Sequence, residues 1–346
     1  LRQILYANCR GSKIPALTIR DYPALGWRGF QDDITRGPSP KLNILKREID
    51  LAELTKQNFF TYYLEYQYDF DLHPVIGPDD GSLTPAELEA LVEYAARRDI
   101  EIVGCQQSFG HMEHVLKHEE YKPLAETHRV LTPAKEATYE FLDDLYSEQI
   151  PLLDCELFNV CCDEVGGLGE GPAKALVEEH GPGAVYARHM NRVHELISGK
   201  YGKRMMMWGD IILEHPEHLD KIPQDTVMLT WGYSAWPNYD KQIIPFAESG
   251  YDFMVCPGVS GWRRLIPDIT TATTNIRNFV RDGVEHGAMG MLNTSWDDTG
   301  DNFNAVTWHG LLWGAECAWN GSTTPLDAFN RRIGAVLFGE PGDHFG

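Results

Sequence analysis

The chain has 346 residues, a formal net charge of -21, and 43% apolar and 11% aromatic content. That excess of acid repels phosphate at long range, so nucleic acid, anionic membrane surfaces and polyanionic glycans are disfavoured, and a neutral substrate fits. The length allows one large α/β barrel or two smaller domains.

Residues 1–26 open on Leu1 in a helix-like stretch without an initiating Met, and read as a connection from a missing upstream segment. From there apolar runs of the strand type alternate with amphipathic helical stretches. The predicted strands cover 27–34, 58–66, 100–108, 155–164, 204–211, 226–231, 253–259 and 288–296. Leu42, Leu45, Ile49 and Ala52 mark the first crossover helix. Thr84-Pro85-Ala86-Glu87 supplies an N-cap, a proline in the first turn and the acid of a capping box; Leu88, Leu91, Val92 and Ala95 then follow at helical spacing. Thr132-Pro133 predicts another helix start of the same kind. Eight strand–helix units predict a parallel sheet closed into a (β/α)8 barrel, the TIM barrel, over 27–320, with a closing helix and tail over 321–346. A doubly wound open sheet is the lesser alternative, since no Gly-x-Gly-x-x-Gly turn follows the first strand.

The seven cysteines are odd in number and lack the spacing of a disulfide framework. Cys105, Cys161, Cys162 and Cys256 fall in apolar runs, where a free thiol behaves as a small hydrophobe. Free thiols lean towards a cytoplasmic setting. No run is long and apolar enough to cross a bilayer, and no signal peptide is visible.

Chemistry on such a barrel gathers at the C-terminal strand ends. The fourth strand runs into Asp163-Glu164 and then Gly166-Gly167. Two acids at the end of a buried strand repel one another and lose hydration, which raises at least one pKa. Successive strand residues point to opposite faces, so both acids reach one pocket only if the chain bends, and the glycine pair is where a bend is expected. An exposed loop pair is the bland alternative. The other ends carry Arg28, Asp33 and Arg36; Glu65, Tyr66 and Tyr68; Gln106-Gln107-Ser108-Phe109-Gly110-His111; Trp208-Gly209-Asp210; Trp231-Gly232-Tyr233; Trp262; and Trp296-Asp297-Asp298. Four tryptophans at predicted mouth positions suit a pyranose, whose C–H face packs on indole while acids and Arg take its hydroxyls. Any single one reads as core, as do Trp308, Trp313 and Trp319 on the last helical stretch. His111, His114 and His118 have helical spacing that can bind zinc, but they lack the His-Glu-x-x-His pattern and lie among charges. No metal or other cofactor is expected.

These residues resemble glycoside hydrolase family 20, the β-N-acetylhexosaminidases, over most of the chain. The likeness rests on Trp27-Arg28-Gly29 with Asp33 and Arg36, Ser108-Phe109-Gly110-His111-Met112, Asp163-Glu164, Trp208-Gly209-Asp210, and Trp296 with Asp298. The wording around Phe109 and Cys162 is similar to the bacterial exo-acting branch. The resemblance implies retaining, substrate-assisted hydrolysis of terminal β-linked GlcNAc or GalNAc, one of the exceptions to the two-carboxylate rule. It implies Glu164 as general acid and then base, and Asp163 as the anion that orients the 2-acetamido group. It also implies Arg28 on ring hydroxyls, Trp208, Trp231 and Trp296 as walls, Asp298 on a distal hydroxyl and His111 beside the acids; Trp262, from its strand-end position, is a further substrate-binding candidate. The family's acetamido-binding tyrosine has Tyr233 as its nearest match. Gln106 and Gln107 stand where the family usually has an Asp, and Asp32 adds an acid beside the first motif. The expected partner is a neutral glycan containing N-acetylhexosamine, with an upstream domain or a second copy able to complete the pocket. A non-catalytic carbohydrate-binding barrel, or a metal-dependent hydrolase using His111 and His114, stays open beside this reading.

Overall fold

A computed structural model describes residues 16–339, apart from 38 and 302. The opening helix-like stretch, Cys9 and the end of the tail lie outside the described residues. Eight strands form a closed parallel barrel in chain order. They are β1 Trp27–Asp33, β2 Phe59–Tyr63, β3 Glu101–Cys105, β4 Leu157–Asn159, β5 Arg204–Trp208, β6 Val227–Trp231, β7 Phe253–Cys256 and β8 Gly290–Ser295. Pairing of β1 with β8 closes the sheet, from Trp27 opposite Gly290 to Asp32 opposite Ser295, and removes the open-sheet alternative.

The main helices are α1 Leu42–Leu54, α2 Pro85–Ala96, α3 Glu136–Gln149, α4 Pro182–His194, α5 Asp240–Ser249, α6 Ile269–Glu285, α7 Asn304–Asn320 and α8 Leu326–Phe338. Thr84 and Glu87 form the expected capping box on α2, whose buried residues are Leu88, Leu91, Val92 and Ala95. The Thr132-Pro133 signal does not start a helix. α3 begins at Glu136, and Thr132 instead holds a turn by accepting from Ala134 N.

Strand alternation sorts the apolar side chains into two layers. Phe59, Val103, Leu157, Met206, Val227, Met254 and Leu292 fill the barrel. Phe30, Phe60, Ile102, Phe158, Met205, Met228, Val255 and Met291 face outward into the layer that meets the helices. The filled interior closes the lower end, so the barrel is a floor and not a pore. Arg28 belongs to that lower end. Its guanidinium donates to Leu25 O, Gly26 O and Lys56 O, and packs under the Trp319 ring. Trp313 is buried and donates to Thr273 O, Trp308 to Asn304 Oδ1 and Trp319 to Asp21 Oδ1, all from α7.

One acidic cluster lies behind the sheet. Asp32 on β1 meets Glu48 of α1 and Asp297 after β8, and Asn304 donates to Glu48. Burial, partly offset by the Asn304 bond and reinforced by Asp297, pushes Glu48 up to about 8. Folded protein therefore holds this proton while unfolded chain releases it near the ordinary value of about 4.3. The contribution to stability is complete below that value and is lost as pH rises towards about 8. Glu48→Gln is accordingly expected to have a higher Tm than the parent at pH 8 and an unchanged Tm at pH 4.5. Identical slopes of Tm against pH in the two proteins would refute the assignment.

Candidate active site

The C-terminal end of the barrel holds a cavity of about 200 Å³. It is lined by Arg36, His111, Asp163, Glu164, Trp208, Trp231, Tyr233, Trp262, Trp296 and Asp298. The structure thus brings together nine of the ten residues expected at the site. Arg28 is the exception, and it needs correcting. It stands second in β1, and a parallel strand enters the barrel at the end opposite the chemistry. Arg36, three residues past the end of β1, reaches the cavity instead.

Both acids reach one cavity, but not by the expected bend. β4 ends at Asn159, and Cys161, Cys162 and Glu164 have φ of 59°, 66° and 47°. Left-handed conformation is costly for residues with a Cβ and is held only where surroundings over-determine it. Here Cys161 N donates to Asn159 Oδ1, Cys162 N to Gln107 Oε1 and Glu164 N to Asp210 Oδ2, while Tyr186 donates to Cys162 O. The turn therefore spans Cys161 to Glu164 and takes in the acid pair, upstream of Gly166-Gly167. Gly110 makes room for it, since a Cβ there would lie 2.5 Å from Asp163 O.

The two carboxylates sit in different settings. Asp163 is buried and accepts from Gln107 Nε2 at 2.7 Å. Burial opposes its charge, but His111 and Gln107 prevail and hold it below the usual aspartate range. Glu164 has 54% of its side chain exposed. The expected rise in its pKa is not found. The His111 ring beside it holds Glu164 below the usual glutamate range, against the opposing effects of partial burial and Asp163.

His111 stands between the acids, with Nε2 3.4 Å from Asp163 Oδ2 and 3.3 Å from Glu164 Oε2. Burial disfavours its charged form, yet Asp163, Glu164 and Glu65 raise it to about 10. It does not share a helix with His114. His111 has φ 54° and the helix starts at Glu113. His114 stacks on Tyr66 and His118 meets Tyr121 edge-on, so the three imidazoles do not converge.

Arg36 forms the polar wall, with Nε 3.3 Å from both Asp33 Oδ2 and Glu65 Oε1, and Nη1 paired with Asp298. Its guanidinium lies over the rings of Tyr63 and Trp296. Burial pushes Glu65 up to about 7 despite Arg36 and His111. On the aromatic side Trp231 stacks on Tyr233 at 5.2 Å, and Tyr233 meets Trp262 at 5.1 Å. Trp296 Nε1 donates to the Tyr233 hydroxyl at 2.8 Å. Sequence reasoning noted Glu65, Gln107 and Asp210 as strand-end residues without giving them a task. Arg129, in a loop far along the chain from β3, showed no signal at all.

The family model for the glycosyl hydrolase family 20 catalytic domain matches residues 25–262, more than half of the chain. Hexosaminidase D of Homo sapiens is 26% identical over 293 residues, covering 75% of this chain and 58% of that protein. Hexosaminidase D of Bos taurus is 26% identical over 211 residues, covering 58% and 61%. The β-hexosaminidase of Vibrio furnissii is 25% identical over 287 residues, covering 71% and 45%. The chain therefore spans roughly half of the length of these relatives. In fold it is similar to the chitobiase of Flavobacterium johnsoniae, with TM-score 0.77 and 21% identity over 91% of this chain and 52% of that one. With the matched segment running from the entry to β1 through to the wall residue Trp262, this chain belongs to glycoside hydrolase family 20.

Proposed function

We propose that the protein is an exo-acting β-N-acetylhexosaminidase that removes terminal, non-reducing β-linked GlcNAc or GalNAc from a neutral glycan. One observation carries the reading. Two consecutive carboxylates open into a single aromatic-walled cavity, one buried and hydrogen-bonded, the other half-exposed at its rim. The cavity is closed below by the barrel core and suits one terminal sugar ring, which favours exo action. The hexosaminidase names of the relatives point the same way.

In the first step the substrate's acetamido oxygen attacks C1, the C1–O bond breaks, and Glu164 passes its proton to the departing oxygen. Asp163, held ionised by Gln107 and His111, pairs with the amide N–H and offsets the charge of the oxazolinium. In the second step water attacks C1 from the vacated face, Glu164 takes its proton, and the ring opens to the β product. A sugar in the cavity strips water from Glu164, and that desolvation raises its pKa towards what a general acid needs. Arg36, tied to Asp298, faces the ring hydroxyls, and Tyr233 offers its hydroxyl to the acetamido oxygen.

Glu164→Gln is expected to lower kcat on a 4-nitrophenyl N-acetyl-β-glucosaminide by about 10²–10⁴-fold, the usual worth of a general acid. Undiminished turnover would sink the assignment. Asp163→Asn should cut the rate on 2-acetamido glycosides far more than on 2-hydroxy glycosides; equal losses on both would argue against substrate assistance. Arg36→Met should lower kcat/KM by about 10- to 100-fold, as loss of a charged hydrogen bond implies. Arg28→Met should leave kcat/KM unchanged and lower Tm. The reverse pattern would return the hydroxyl-binding role to Arg28.

A further inference from the structure

In a barrel whose strands follow chain order, the ends of β1 and β8 stand across from those of β4 and β5. Arg36 and Asp298 follow the first pair, and Glu164 and Asp210 follow the second. A terminal sugar with its hydroxyls on Arg36 and Asp298 and its C1 at Asp163 and Glu164 therefore directs its glycosidic bond towards the β4–β5 side. The general acid fixes the same direction, since it must face the departing oxygen.

Two paths leave the cavity on that side. The one towards β3 is taken up by the turn from Ala125 to Leu131, whose ends are bridged to each other. Arg129 on this turn brings Nη2 to 3.8 Å from Glu164 Oε2. The Glu126 carboxylate accepts from the backbone N–H groups of Gly169, Gly171 and Ala173, which fastens the turn to the loop that follows Glu164. The path towards β6 is open. There a second cavity, of about 340 Å³, adjoins the first and shares Trp231 and Tyr233 with it. Asp210, Ser234, Trp236 and Gln242 supply most of its remaining lining. Asp210 joins this cavity to the acid directly, because its Oδ2 accepts from Glu164 N at 2.9 Å.

Trp236 sets the character of the second cavity. It is 42% exposed, although core packing would bury it. Its backbone is held from α6, where Asn278 donates to Trp236 O at 2.8 Å and Arg281 to Pro237 O at 2.7 Å. Its ring meets Tyr239 at 5.6 Å, and Tyr239 stacks on Phe279 at 4.0 Å. The indole is thus fixed in place and still wet. An aromatic in that condition can stack on the C–H face of a pyranose without first losing its own freedom. Asp210, Ser234 and Gln242 beside it offer partners for hydroxyls. We infer that this cavity takes the sugar on the reducing side of the cleaved bond, with Trp236 as its stacking platform and as a residue that sets specificity for the leaving group. The ligand class is a β-linked oligosaccharide in which a second pyranose follows the terminal N-acetylhexosamine. A glycoside whose leaving group is too small to reach Trp236 uses the first cavity alone.

The assignment rests on the functional reading above, and two measurements separate the failure of one from the failure of the other. Chitobiose and methyl N-acetyl-β-glucosaminide both release an alkoxide that needs a proton, so they differ chiefly in the presence of a second ring. In Trp236→Ala, kcat/KM on chitobiose should fall by about 10-fold, the usual scale for truncating an aromatic at the centre of a contact. On the methyl glycoside it should change by less than about 2-fold, as for a surface substitution away from the bound ligand, which also shows that the variant is folded. Trp236→Phe should recover most of the rate on chitobiose. Equal losses on both glycosides, or no loss on either, overturn the inference. The second measurement needs no turnover. Calorimetric titration of Glu164→Gln should show chitobiose binding about 10-fold more tightly than GlcNAc, and adding Trp236→Ala should abolish the difference. Equal affinities in Glu164→Gln overturn the inference even for a barrel that only binds sugar. Absence of turnover by the parent protein would instead refute the functional reading and leave the titration to decide the second cavity.

Discussion

The site depends on a short stretch of backbone in a conformation that its residues disfavour. A regular continuation of β4 would send Asp163 and Glu164 to opposite faces of the sheet. Left-handed geometry at Cys161, Cys162 and Glu164 turns both into the cavity. None of these residues is glycine, so each costs conformational energy that the neighbours must offset. The offset is visible as hydrogen bonds from four different elements, made through Asn159, Gln107, Asp210 and Tyr186. Gln107 has two tasks: its oxygen anchors Cys162 N and its amide fixes the Asp163 carboxylate. An Asp at that position could accept from Cys162 N but could offer no donor to Asp163 unless protonated. The amide of Gln107 therefore holds the buried anion with a donor that an ionised carboxylate would lack.

The same dependence explains why the neighbouring acids differ in character. Asp163 lies inside the turn, where donors reach it and water does not. Glu164 lies one residue further out, where its side chain stays largely in solvent until something covers it. Adjacent positions on one chain thus acquire opposite tasks, because Gln107 and His111 hold the buried Asp163 ionised against the cost of burial while Glu164 stays half in solvent. The arrangement also bears on the acidity of the whole chain. Glu65, Asp210 and Glu48 are all pushed up to about 7 or 8 by burial. The formal charge of -21 counts every carboxylate as ionised, so it overstates the negative charge that the folded barrel carries near neutral pH.

Much of the fold was legible because barrel strands are short, apolar and regularly spaced, and all eight expected runs contain a strand of the closed sheet. The misreadings came from local signals overruled by distant contacts. Thr132-Pro133 has the chemistry of a helix start, yet the chain uses Thr132 to close a turn. Gly166-Gly167 offered an obvious place to bend, but the bend sits where Gln107, Asp210 and Tyr186 can hold it, and those partners are 24 to 55 residues away. Arg28 and Arg36 share one motif, and the difference between them is strand direction: one stands at the entry to β1 and the other beyond its exit. The aromatic wall was readable as four tryptophans at strand ends because each strand delivers its own. Arg129 was not readable, because its place is set by Glu126 gripping a loop more than 40 residues downstream.

That difference separates two kinds of site residue in this barrel. Groups carried on strand ends inherit their direction from the sheet, so pattern alone locates them. Groups carried on loops acquire direction only from the contacts that fasten the loop. Here the fastening is a single buried carboxylate filled by three backbone donors, a charge-assisted set stronger than neutral bonds of the same number. It links the turn of Arg129 to the loop behind Glu164, so a displacement of either one carries the other with it. Met112 and Leu131 complete the circuit back to the His111 segment, so backbone hydrogen bonds join the segments that carry the acid, the imidazole and the guanidinium.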